Sequence, residues 1–156
     1  MTLYSMQNPT FVAYTIAAAI MILKIMGQGW LTVYRMMKVE GGYLNPEDLL
    51  SGPINRNPRP SQLDPNDYVD RSRRMHLNDL ENIPAFLVAG WLLVAVDPPY
   101  MLAVVLMGTF VVMRLIHAIV YVTKQRHEVR ATPYTIASVI VVRNRSISAA
   151  ASRGCS

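Results

Sequence analysis

The stretch Asp67–Phe86, DYVDRSRRMHLNDLENIPAF, sets carboxylates, guanidinium groups, amides and an imidazole directly against an apolar run, Ile83–Val96. At 3.6 residues per helical turn, Arg74, Asn78 and Glu81 share one polar stripe, and His76 and Asp79 point roughly the other way. A helix polar on two faces does not lie against lipid, because ionisable groups at membrane depth are costly unless they face protein or water. A second stripe, Arg114, His117 and Tyr121, uses spacings of three and four inside another apolar run. One such charge alone reads as a juxtamembrane stop signal, and one such histidine as a satisfied packing residue. Two stripes together read as a buried polar site. Its members are Arg35, Arg74, Arg114 and Arg130, with Lys24 deeper and Asn78, Glu81, His117, Tyr121 and Tyr134 between them. Guanidinium forks suit carboxylates, and a glutamate facing them can bind an ammonium. The pattern fits a small ligand with several carboxylates and an amine, with an apolar second substrate reaching it from the lipid side.

Long apolar runs must position these groups. Of 156 residues, 52% are hydrophobic and only 16% charged, with mean hydropathy +0.23. That is too apolar for an ordinary soluble domain. The net charge of +5 does not point to nucleic acid, because the cations flank apolar runs rather than interleaving with exposed aromatics. Phospholipid headgroups and a small acidic ligand are the expected partners. The single cysteine, Cys155, rules out an intrachain disulfide or a cysteine metal cluster, and no zinc spacing, P-loop or GxGxxG occurs, so no metal is expected. Met1–Thr10 lacks the basic region of a cleavable signal peptide.

The first predicted span is Phe11–Tyr34, roughly 36 Å of helix and interrupted only by Lys24, which turns into the bundle either as structure or as site. Gly27 and Gly29 within it allow close helix approach. A polar linker over 35–70, rich in proline and with Gly41–Gly42, is expected to be exposed, partly irregular and mobile. Within it, Asn45–Pro46–Glu47–Asp48 reads as a turn or short helix start. The second span is predicted over about 71–96, loosened or kinked at Pro84. After the tight turn Asp97–Pro98–Pro99 comes the third, Tyr100–Val122. The fourth, Ala131–Val142, has about 18 Å of helix and is too short to cross a full bilayer alone. Residues 1–142 thus form one transmembrane domain, and 143–156, RNRSISAAASRGCS at its end, reads as a disordered tail. The basic links between spans one and two and between three and four place both in the cytosol by the positive-inside rule.

With these elements placed, the residues resemble a known family. The core Val69–Ile83, VDRSRRMHLNDLENI, is similar to the signature of the membrane-associated proteins in eicosanoid and glutathione metabolism (MAPEG). Tyr34–Arg35, Asn45–Pro46–Glu47–Asp48, the Arg114–His117–Tyr121 stripe, and Arg130 with Tyr134 in VRATPYT match it in unbroken order over about residues 10–142. The resemblance implies an all-α integral membrane four-helix bundle, its fourth helix truncated here. It implies a homotrimer in the endoplasmic reticulum membrane, with the outer mitochondrial membrane as a second location. Glutathione would be the co-substrate, bound between subunits near the cytosolic face by the positions of Arg35, Arg74, Asn78, Glu81, Arg114, His117 and Tyr121. Arg130 and Tyr134 match catalytic positions near the glutathione sulfur, and Asp48 matches an aspartate discussed as a catalytic helper. The implied activity is conjugation of the glutathione thiolate to hydrophobic electrophiles, with reduction of lipid hydroperoxides. Glutathione-dependent prostaglandin E synthesis and a non-enzymatic membrane partner protein are the alternatives. Four departures stand out: Ala131 where synthase-type members carry serine, Leu77 where they carry arginine, a longer link from Tyr34 to Asn45, and loss of the pattern after Val142.

Overall fold

The computed structural model describes residues 3–53, 55–123 and 131–143. Helix α1, Pro9–Val39, starts where Asn8 accepts a hydrogen bond from the Thr10 N–H at 2.9 Å and Pro9 takes the first helical position. It runs past the predicted end at Tyr34, because Arg35–Lys38 contains only good helix formers. It stops at Glu40, whose backbone is left-handed (φ 48°) and whose N–H donates to the Met36 and Met37 carbonyls. Helix α2, Asp67–Val96, is capped by Asn66, which accepts from the Tyr68 and Val69 N–H groups. That cap starts the helix earlier than the predicted 71, and the helix continues through Pro84. A left-handed Asp97 (φ 50°) turns the chain into α3, Tyr100–Val122. Helix α4, Ala131–Arg143, is about 20 Å long. The tail from residue 144 onward lies outside the described residues.

The linker is partly irregular, as expected, and is pinned by local hydrogen bonds. Two 3-10 turns, Pro46–Leu49 and Pro60–Leu63, each open on a proline. Between them Gln62, only 4% exposed, exchanges side-chain hydrogen bonds with Asn55 at 2.8 and 3.2 Å and accepts from the Arg59 N–H at 3.0 Å. The Tyr43 N–H donates to the Gln62 carbonyl, and Asn55 to that of Asp48. The linker meets α2 at Gly42, which has φ +71° and whose carbonyl accepts from Arg73. A β-carbon there would sit 3.0 Å from Val69 Cγ2 and 3.2 Å from Asn66 Cβ. Gly42→Ala is therefore expected to cost about 1–3 kcal/mol, from positive φ and crowding together, read as a lower melting temperature in detergent.

Helices α1, α2 and α3 pack against one another. They bury Met21 of α1, Ile83, Phe86, Ala89 and Leu93 of α2, and Ala103, Met107 and Phe110 of α3, with Ala137, Ile140 and Val141 of α4 in the same core. The Phe86 and Phe110 rings stack at 4.0 Å. Gly90 admits the Tyr14 ring, whose hydroxyl donates to the Leu87 carbonyl at 3.0 Å. Among the described residues nothing lies within 4 Å of the missing β-carbon of Gly27, so it serves no close approach between them. The outer surface is apolar: Leu23, Trp30, Val88, Met101 and Ile119 are exposed. Three helices are long and apolar enough to cross a membrane, and the protein is an all-α integral membrane four-helix bundle.

Candidate functional site

A polar cluster stands where α2, α3 and α4 meet, toward the end of the bundle that carries the linker. Asn78 of α2 donates to the Arg74 carbonyl one turn back (2.8 Å) and to the Tyr121 hydroxyl of α3 at 3.4 Å. Asn82 donates to the Asn78 carbonyl at 2.9 Å, and its own carbonyl oxygen accepts from Ser138 of α4 at 2.9 Å. An amide ladder on α2 thus ties the other two helices to it. The buried His117 ring lies 4.9 Å from the Tyr121 ring and 6.4 Å from that of Tyr134. Arg114 is fully buried one turn below His117 on α3. The predicted members Asn78, Arg114, His117, Tyr121 and Tyr134 therefore lie together. Asn82, inside the Val69–Ile83 motif but not singled out as a site residue, and Ser138, which no motif marked, join them.

Arg35 and Arg74 lie elsewhere within one chain. Arg35 is buried between α1 and α2, where Nη1 donates to the Tyr68 carbonyl at 2.9 Å and the guanidinium lies 4.5 Å from the Tyr68 ring centre. Arg74, half exposed, pairs with Asp67 at 2.7 Å. Outside the apolar part of α2, hydrogen bonds from Arg74 and Arg71 hold the exposed Asp67 carboxyl below the ordinary carboxylate range. Glu81 faces outward on an exposed stripe with Leu77, Pro84 and Val88. Asp48 sits in the linker turn, its carboxylate accepting from the Asn45 N–H at 3.4 Å, and it lines a hollow with Val33, Met36 and Tyr43 rather than the α2–α3–α4 cluster. Arg130 lies outside the described residues.

Asp79, on the side of α2 away from Glu81 as the spacing predicts, faces the core. It is buried on the core stripe with Ser72, Met75, Asn82 and Phe86, and it accepts from both Lys24 of α1 and Arg114 of α3. Lys24 thus turns into the bundle, as expected, and finds its counter-charge there. The signal was present in spacing: Asp79 falls at three- and four-residue steps along an otherwise inward row, and Lys24 is alone in its span.

Comparison with known proteins covers this whole architecture. The model of the MAPEG family matches residues 12–143. Microsomal glutathione S-transferase 1 of Sus scrofa is 36% identical over 119 residues, 76% of this chain and 75% of that protein. The human protein of that name is 33% identical over 132 residues, 84% and 83% of the two chains. Human prostaglandin E synthase is 28% identical over 134 residues, 86% of this chain and 84% of that one.

Proposed function

The chain belongs to the MAPEG family, and we propose that it is a membrane-bound glutathione transferase acting on hydrophobic electrophiles. The observation that carries this reading is the part-buried Asn78–Tyr121–His117–Tyr134 cluster, set around the buried His117 one turn from the buried Arg114 in an otherwise apolar bundle. Its chemistry suits a tripeptide with two carboxylates and an ammonium group. The basic linker and the link between α3 and α4 face the cytosol, where glutathione is dissolved, and the membrane is that of the endoplasmic reticulum, with the outer mitochondrial membrane as a second site.

Within one chain Arg35 and Arg74 stand apart from Arg114, and Glu81 faces outward among apolar neighbours. A carboxylate on a membrane-facing stripe needs cover. Assembly as a homotrimer supplies it, and brings the arginines and Glu81 of neighbouring copies to one tripeptide.

The chemistry is activation of a thiol. A cysteine thiol titrates near 8.5, so it is mostly protonated at neutral pH, while the thiolate is the nucleophile. Arg130 supplies fixed positive charge at the sulfur, and the Tyr134 hydroxyl donates a hydrogen bond to it. The thiol proton leaves, sulfur bonds to the electrophilic carbon, and the leaving group departs as an anion. With a lipid hydroperoxide, two glutathione molecules give the disulfide, the lipid alcohol and water. Ala131 has no hydroxyl to assist, so this chain relies on Arg130 and Tyr134. Asp48, capping its own turn in the linker, stands as an outlying helper.

Purified full-length chain in detergent is expected to develop glutathione-dependent thiolate absorbance and to conjugate a model electrophile. An assembled protein that shows neither overturns the reading. Similarity to prostaglandin E synthase across most of the chain supports a second reading, isomerisation of a prostaglandin endoperoxide. Turnover of the endoperoxide exceeding that of the model electrophile, measured side by side, decides for it.

A further inference from the structure

The core carries more positive charge than it balances. Asp79 Oδ2 accepts from Lys24 and Oδ1 from Arg114, with the three side chains 0%, 7% and 0% exposed respectively. One carboxylate neutralises one cation, so the set keeps a surplus positive charge where charge is poorly solvated. Arg114 also uses its fork incompletely. Nη2 donates to Asp79, whereas Nε and Nη1 are buried without a hydrogen-bond partner among the described residues. A guanidinium placed only to lock three helices would engage a carboxylate with two parallel bonds. One turn from Lys24 on α1, Gln28 is 4% exposed, and neither end of its amide has a partner among the described residues. Unsatisfied donors beside a surplus cation call for an anionic acceptor. Arg114 lies between Asp79 and the polar cluster, one turn from His117 and opposite the residue that follows Asn78.

We propose that Lys24 and Asp79 are positioning residues that set how readily Arg114 engages a carboxylate of the bound tripeptide; the inference rests on the glutathione reading above. Asp79 and the ligand carboxylate compete for one guanidinium. Lys24 neutralises Asp79 and repels Arg114, so it weakens the internal grip and leaves Asp79 balanced when Arg114 turns to the ligand. Neither residue touches glutathione. The two cations on one carboxylate act as a ligand-exchange device rather than a static lock.

The test is glutathione affinity by equilibrium titration, with kcat at saturating glutathione and melting temperature measured on the same full-length preparations. Lys24→Gln keeps a donor for Asp79 but removes the charge. It is expected to weaken glutathione binding about tenfold, a coupling of ordinary size between linked sites, with kcat retained. Lys24→Arg restores wild-type affinity. Adding Asp79→Asn to Lys24→Gln removes the internal competitor and is expected to recover affinity, although melting temperature does not recover. Lys24→Gln binding as tightly as wild type, or no recovery in the double variant, overturns the inference. Lys24→Met with Asp79→Asn serves the same comparison if the single variant does not fold: affinity at or above wild type supports the exchange, and tenfold weaker binding by this pair refutes it. A wild-type chain that binds no glutathione instead overturns the functional reading itself.

Discussion

Arg130→Ala is expected to lose about 10²–10³-fold in kcat for conjugation while glutathione still binds, because a preorganised donor at a developing or resident anion is worth that much. Arg130 is four residues before Tyr134 in sequence, and Tyr134 stands 6.4 Å from His117 at the mouth of the α2–α3–α4 cluster. The cluster supplies neutral donors from Asn78, Tyr121 and Tyr134, which orient a peptide but do not by themselves hold a sulfur ionised. Fixed charge does, and Ala131 leaves no neighbouring hydroxyl to share the task. The thiolate absorbance of the glutathione complex should therefore fall with kcat, and binding measured by displacement should not. Arg130→Lys keeps charge without the fork and is expected to fall between the two. Unchanged thiolate absorbance in Arg130→Ala removes Arg130 from the chemistry.

What the amino-acid order made readable follows from how strongly each feature is coupled to neighbours in sequence. Spans α1 and α3 are long apolar runs, and Asp97–Pro98–Pro99 permits only a tight reversal, so their placement needed no tertiary knowledge. Helix ends shifted because caps are local hydrogen bonds, those of Asn66 and Glu40 here, rather than composition. The partly irregular linker was legible from its prolines, but the Gln62–Asn55 amide pair that pins it was not, because a pair seven residues apart carries no periodic signal. In the site, the Arg114–His117–Tyr121 stripe was readable because an apolar helix makes its polar face conspicuous. On α2 the polar residues occupy both faces, and spacing alone does not say which face is inside. Arg74, Asn78 and Glu81 were all expected in the site, and within one chain only Asn78 joins the cluster. The inward row is the one holding Asp79, because Lys24 and Arg114 on the neighbouring helices require an anion at that depth.

Asp79→Leu is expected to destabilise the bundle by about 3–5 kcal/mol, and replacing all three partners is expected to undo that loss. Removing only the carboxylate leaves Lys24 and Arg114 buried, alike in charge and without a counter-ion, in a helix-packed core flanked by lipid. A marginally stable chain does not carry that cost, so little folded protein should survive detergent extraction. Lys24→Met, Asp79→Leu and Arg114→Met together put apolar groups of comparable length in the same space. Their desolvation is favourable where that of ions is not, so thermal stability should return to the wild-type level or exceed it. Glutathione binding should not return with it, because Arg114 has gone. A triple variant as unstable as Asp79→Leu would mean that the three side chains hold the helices by shape rather than charge. One that is stable and still binds glutathione would remove Arg114 from the ligand's grip. Stability and binding are separable in this core because the ions cost folding energy that only a carboxylate-bearing ligand gives reason to spend.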